Sequence, residues 1–295
     1  MSENELLFSL FFVSCRSKNK VEQPMIKDFD LLQRANNDYT TIDLEHAEEL
    51  AYRELIDSIR YIPLGDECGV MGNIANIITY KGRFYIQEEQ FDRVFIYDDT
   101  GRCLKKIDNK GRGPGEYLRI ESIDINTEKE ELMLVDGMSD KLFFYDLDGN
   151  FKSIHSIRYF QTENTLCLRD SVFLHISAPS QNFGNEGLYG YALVLSKGNE
   201  NFLKGYRYLP LQVGYKGGGQ IFKGYERSCY HPIYSDTIYQ ILSDTTYGPI
   251  FYFKIKNSSW EKYHNSDRFV DIDGSEEGVF TLLYENQDFF LGYIA

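Results

Sequence analysis

Glu116, Tyr117, Arg119 and Glu121 bring two carboxylates, a phenol and a guanidinium into one short stretch, enough to bind a polar ligand. Carboxylates accept hydrogen bonds and hold hard cations such as calcium through oxygen. A guanidinium offers five donors in a fixed fork. A second reading of Glu116 and Tyr117 stays open, in which they hydrogen-bond and pack the turn that carries them. Other chemistries have no support in the spacing. His46, His155, His175, His231 and His264 are scattered, with no pair at the i, i+4 spacing of a helical zinc motif. No Gly-x-Ser-x-Gly elbow occurs. Cys68, Cys103, Cys167 and Cys229 lie dozens of residues apart with no C-x-x-C pair, so we expect no metal site and four free thiols acting as small buried hydrophobes. His175, within Val172 to Ser177, reads as a structural residue, and Asp92 and Asp136 read as turn caps.

The element that positions the four candidates is a glycine-rich link, Asn109-Lys110-Gly111-Arg112-Gly113-Pro114-Gly115, running into Glu116-Tyr117. No Lys-Ser/Thr follows it and no helix is expected after it, so a phosphate cradle is disfavoured and a sharp chain reversal is favoured. Gly217-Gly218-Gly219 likewise reads as a surface loop. On either side of the link stands a repeated unit. Gly82 to Gly101 aligns without a gap on Glu130 to Gly149, at an offset of 48 residues. Each copy is a hairpin: a strand ending in Glu88 or Asp136, a polar loop with Asp92-Arg93 or Asp140-Lys141, then an aromatic strand into a Tyr-Asp turn closed by glycine. Fainter copies place second hairpin strands near Tyr191 to Leu195, Thr237 to Leu242 and Asp288 to Tyr293.

A period of about 40–50 residues with roughly four strands predicts an all-β fold, a β-propeller of four-stranded blades. Composition agrees: 23 Tyr and 21 Phe against one Trp and seven Pro, with 24 Gly, describe many short aromatic strands joined by turns. Gly-x-Gly-Pro-Gly-Glu-Tyr before a strand and an aromatic-Tyr-Asp-x-x-Gly close resemble the NHL-type (NHL/TolB-like) propeller repeat. With Tyr61-Ile62-Pro63-Leu64 and Ser235-Asp236-Thr237-Ile238-Tyr239, residues 40 to 295 resemble the six-bladed β-propeller lipoproteins of Gram-negative gut anaerobes. That resemblance implies fold and export, and no reaction. Five hairpins end near residues 97, 145, 195, 242 and 290. We therefore expect a six-bladed type lacking its last blade; the alternative is a five-bladed ring that the Thr40 to Leu44 strand helps to close. In either ring the link would set Glu116, Tyr117, Arg119 and Glu121 near the axis, at the channel mouth where propellers usually bind.

The apolar run Leu6 to Val13, ending at Ser14-Cys15 before a polar stretch, has the length of a signal-peptide core and a lipobox-like end. We expect 1–15 to be the signal, with Cys15 the lipidation site and the only membrane attachment. Residues 16–39 would be a tether, 40–295 the propeller, and 45–59 a short helix. The protein would be exported, to the periplasm or outer membrane. A formal charge of −14, from 31 basic and 45 acidic residues, argues against nucleic-acid partners. The expected function is non-enzymatic binding of a small ligand, glycan, peptide or protein. The alternative is a hydrolase or lyase with calcium, the one cofactor considered, held by carboxylates in the channel.

Overall fold

The computed structural model describes residues 30–31, 33–35, 38–43, 46, 58–157, 161–169, 171–177, 191–197, 201–208, 219–224, 227–232, 235–243, 246–254, 280–285 and 290–294. The expected signal, including Cys15, and most of the expected 45–59 helix lie outside them; Ser58 and Ile59 are not helical. Three N-terminal strands come first: β1 (Asp30–Leu31), β2 (Gln33–Arg34) and β3 (Thr40–Asp43). The first blade is β4 (Ile74–Tyr80), β5 (Arg83–Glu88), β6 (Arg93–Asp98) and β7 (Cys103–Ile107). The second is β8 (Ser122–Asn126), β9 (Glu131–Asp136), β10 (Lys141–Asp146) and β11 (Phe151–Ser156). The third is β12 (Asn164–Arg169), β13 (Val172–Ile176), β14 (Tyr191–Lys197) and β15 (Asn201–Tyr208). The fourth is β16 (Gln220–Gly224), β17 (Arg227–His231), β18 (Thr237–Ile241) and β19 (Thr246–Lys254). A hairpin follows, β20 (Phe280–Glu285) with β21 (Phe290–Ile294).

Every blade is an antiparallel meander, and the inner strands β4, β8, β12 and β16 contact one another in sequence. Among the described residues this is a β-propeller arrangement with four blades. The middle strands β5, β6, β9, β10, β13 and β14 lack the alternation of a one-sided sheet because they are buried on both faces. On the second blade, Leu132, Leu134, Phe143 and Tyr145 pack against Tyr85, Val94 and Ile96 of the first. The intervening Met133, Val135, Leu142 and Phe144 pack against Cys167 and Phe173 of the third. The next interface joins Leu174, Leu193 and Leu195 to Ile221 and Tyr230.

The repeat is visible in its turns. Asp98 Oδ1 accepts hydrogen bonds from the Thr100 and Arg102 amides, Asp146 Oδ1 from those of Asp148 and Asn150. Gly101 (φ 87°) and Gly149 (φ 80°) close these turns in a conformation that an L side chain resists.

Two sequence-based expectations are corrected here. The strand at Thr40 to Asp43 exists, but it lies parallel to β19 on the outer edge of the fourth blade, Phe251 opposite Thr40. It satisfies an otherwise open edge and sets Ile42 over Cys229, Ile238 and Phe253. β1 similarly edges β15 and β2 edges β19, so short strands occupy the stretch expected to be a tether. Nor are the four downstream cysteines all free: Cys68 and Cys103 form a disulfide, whereas Cys167 and Cys229 are buried thiols. Sequence separation hid the pair, because the strap ahead of β4 folds back across the first blade. Tyr97 Oη donates to the Gly65 carbonyl at 3.2 Å, and the Gly65 amide to that of Gly101 at 2.8 Å.

His175 is fully buried between Thr165 Oγ1 (2.8 Å) and Ser196 Oγ (2.7 Å), a structural residue with both ring nitrogens satisfied. Burial pushes its pKa down to about 3, and lowers that of His231, whose Nε2 donates to the Ser235 carbonyl. An unfolded histidine protonates near pH 6.5, so below that pH the unfolded chain binds more protons, and stability falls as the pH drops from about 6.5 toward 3. We expect His175 alone to remove about 2 kcal/mol between pH 7.5 and pH 5. Urea denaturation across this range should show that loss. The His175→Gln variant should lose stability less steeply; an unchanged slope would contradict the assignment.

Candidate functional site

The glycine-rich link crosses from β7, the outer strand of the first blade, to β8, the inner strand of the second. Its turn is built on Glu116, whose Oε2 accepts the Gly113 amide at 2.6 Å while its own amide donates to the Gly113 carbonyl. A Cβ at Gly111 would lie 1.9 Å from the same carboxylate, so a larger residue there would push the Glu116 side chain out of this turn. Tyr117 is wholly buried; its Oη donates to the Asp92 carbonyl at 2.8 Å and accepts the Asn109 amide at 3.1 Å. Burial raises its pKa. The structure thus gives Glu116 and Tyr117 the packing and hydrogen-bonding roles of the second sequence reading, inside the turn.

Beyond Tyr117 both blades grip the link. Asp92 Oδ1 accepts the Ile120 amide, Gln87 Nε2 donates to the Ile120 carbonyl, and the Lys110 ammonium pairs with Asp92. Asp136 caps its own loop through the Met138 and Ser139 amides and takes the Leu118 amide at 2.7 Å. Held from both sides, the link presents Arg119 and Glu121 outward as an ion pair at 3.3 Å, with side chains 57% and 23% exposed. They line a cleft of about 480 Å³ with Gly137 and Met138 from the β9–β10 loop and Gln161, Thr162 and Glu163 from the approach to β12. Three loops of two blades meet there, at the end of the inner strands where the links enter.

The cleft's shape depends on Gly137. A Cβ there would stand 2.6 Å from the Thr162 backbone carbonyl and 3.1 Å from Glu121 Cγ. Burial is the main cause raising the Glu121 pKa, and Asp92 and Asp136 add to it against the lowering by Arg119. Nearby, burial and Asp136 push Asp140 up to about 6. The cleft therefore combines a guanidinium, two carboxylates of which Glu121 has a raised proton affinity, an amide, a hydroxyl and the exposed thioether of Met138. Sequence reasoning found Arg119 and Glu121 and missed Gly137, Met138, Gln161, Thr162 and Glu163. The first two sit in the loop aligned with Glu89-Gln90 of the earlier repeat, a signal for position and not for convergence.

Among the described residues no group of three or more His, Cys, Asp or Glu is placed to hold a metal ion. The inner strands carry a cation of their own. Lys223 on β16 reaches past β12 to Asp124 on β8, donating to Asp124 Oδ2 at 2.7 Å and to the Ile125 carbonyl at 2.6 Å; the Cys167 amide on β12 binds the same carboxylate oxygen.

A family model for a domain of unknown function, DUF4934, matches residues 39–294. The chain belongs to the DUF4934 family. This DUF4934 chain also resembles the crystal structure of a Bacteroides fragilis protein named as a candidate for export. The TM-score is 0.69 at 18% identity, over 87% of this chain and 74% of that one, a likeness of fold. Weaker similarities run to a DUF4221-family protein of Bacteroides vulgatus (TM-score 0.40, 10% identity, 60% of this chain and 57% of that one) and to an inactive virginiamycin B lyase of Staphylococcus aureus with quinupristin (0.43, 9%, 75% and 62%). No curated protein matches the chain.

Proposed function

We propose that this DUF4934 protein is an exported, lipid-anchored binding module whose ligand, a polar glycan or peptide, lies in the cleft between the second and third blades. The observation that carries the reading is the Arg119–Glu121 pair, fixed by two blades yet open to solvent beside Met138. Arg119 would hold a carbonyl or carboxylate of the ligand, Glu121 its hydroxyl or amide donors, and Met138 its apolar surface. Glu116 and Tyr117 act by fixing the turn that aims this pair. Export is supported by the Leu6 to Val13 run, by the Cys68–Cys103 disulfide and by the fold shared with the Bacteroides fragilis protein. The Ser14-Cys15 junction supports anchoring through Cys15, and the repeats support a six-bladed ring. The calcium-dependent alternative would need inner-strand carboxylates; Asp124 is already neutralised by Lys223.

Glycan and peptide arrays probed with the native protein and with Arg119→Ala test the reading. Hits should weaken by about tenfold or more in the variant, about 1.4 kcal/mol, with its melting temperature unchanged. Hits of undiminished strength would sink it. Fractionation of the same cells should move a Cys15→Ser protein off the membrane; retention there would remove the anchor.

A further inference from the structure

At the opposite end of the inner strands, a second cleft of about 390 Å³ opens between the third and fourth blades. Its charge is unlike that of the chain, which carries −14 overall. Arg169 at the end of β12, Lys223 on β16 and Arg227 at the start of β17 all line it, and among the described lining residues there is no carboxylate. The three cations are not equivalent. Lys223 is committed to Asp124 and the Ile125 carbonyl, so it forms a fixed floor. Arg227 has its guanidinium carbon 5.5 Å from the centre of the Phe251 ring, which restrains its plane. Arg169 is exposed at the rim. Arg169 and Arg227 both have contacts of their own, and the five N–H donors of a guanidinium let each take a further acceptor. Ser228 adds a hydroxyl on the same wall, where the Ser243 hydroxyl is held by Thr246, while Leu168, Val172, Ile241 and the exposed Leu242 supply an apolar one.

From this we infer that the cleft is a second ligand site, for a small organic anion: a carboxylate or sulfate head on Arg169 and Arg227, and an apolar body along Leu168, Val172 and Leu242. The volume suits a ligand of small-molecule size. Guanidinium forks match the planar, bidentate geometry of a carboxylate, and the Ser228 hydroxyl can serve a remaining lone pair. The site does not depend on the Arg119–Glu121 cleft, and either can fail alone.

Calorimetric titration of the full chain with hexanoate, hexyl sulfate and the neutral hexanamide tests it. Hexanoate or hexyl sulfate should bind saturably and hexanamide at least tenfold more weakly; which anion is preferred identifies the head group. Arg169→Gln, a change at an exposed position, should weaken the anion by about tenfold or more. Lys152→Gln, which removes a cation on the outer strand β11, should leave it unchanged. Equal binding of hexanamide, equal loss in both variants, binding untouched by Arg169→Gln and Arg227→Gln, or no binding by either anion at about 10 mM would each overturn the inference.

Discussion

Replacing Lys223 by methionine is expected to destabilise the protein by about 3 kcal/mol, a loss that grows as the pH rises. Asp124 is 4% exposed and sits on the innermost strand of the second blade. Its Oδ2 keeps the Cys167 amide, but without the ammonium a buried carboxylate stands uncompensated, a defect of about 3–5 kcal/mol in comparable settings. The lower end applies because the Lys223 side chain is 32% exposed, which weakens the native pair by solvation. Burial already raises the Asp124 pKa against the opposing pull of Lys223, and removing the lysine lets it rise further. A folded pKa above the unfolded value means that protons stabilise the fold. The variant should therefore recover, relative to the native protein, as the pH falls toward about 4, opposite in sense to the histidines. Asp124→Asn should cost less, since the orphaned ammonium can turn to water. The double variant should be more stable than Lys223→Met alone, since no buried charge remains. A loss below about 0.5 kcal/mol, or one independent of pH, would show that the tie does not join the three blades as described.

The second large effect is expected from the strap. Replacing both Cys68 and Cys103 by alanine should cost about 2–4 kcal/mol, because the bridge closes a loop with a sequence separation of 35 residues in the unfolded chain. It also clips a cover onto the outward face of the first blade, where Cys68 and Met71 pack over Ile86, Phe95 and Tyr97. Beyond the bridge, the strap relies on the Tyr97–Gly65 and Gly65–Gly101 hydrogen bonds and on Arg60 donating to the Asp99 carbonyl at 2.7 Å. Urea midpoints of native and double-alanine protein measure the cost. Thiol labelling in denaturant supplies the compartment test: Cys68 and Cys103 should be protected when the protein is made with residues 1–15 and exposed when it is kept in a reducing cytosol. Labelling of both cysteines in the exported protein would remove the disulfide's support for export.

What could be read from the sequence follows the physics of each element. The first two blades announced themselves because β5–β6 and β9–β10 repeat without a gap, with Glu88 and Asp136 capping equivalent loops and Gly101 and Gly149 closing equivalent turns. In the third and fourth blades only β14 and β18 were evident; their inner strands β12 and β16 carry no such punctuation. The disulfide escaped because a strap, not a repeat, brings Cys68 to β7. At the site, chemistry alone could not separate Glu116 and Tyr117, turned into the link, from Arg119 and Glu121, turned out of it. Asp92 and Asp136, which accept hydrogen bonds from Tyr117, Leu118 and Ile120, hold the link that makes this division, and both come from loops distant in sequence. The basic cleft was invisible for the same reason: Arg169 and Arg227 meet only when neighbouring blades stack.

The central claim is that ligand binding occurs where the second and third blades meet around Arg119 and Glu121. Amide hydrogen exchange, with and without the strongest array hit, tests it most directly. Slowed exchange is expected at 118–122, 136–139 and 161–163, and it should vanish with Arg119→Ala. Protection confined to the outer strands β7, β11 and β19, with these three segments unchanged, would contradict the account.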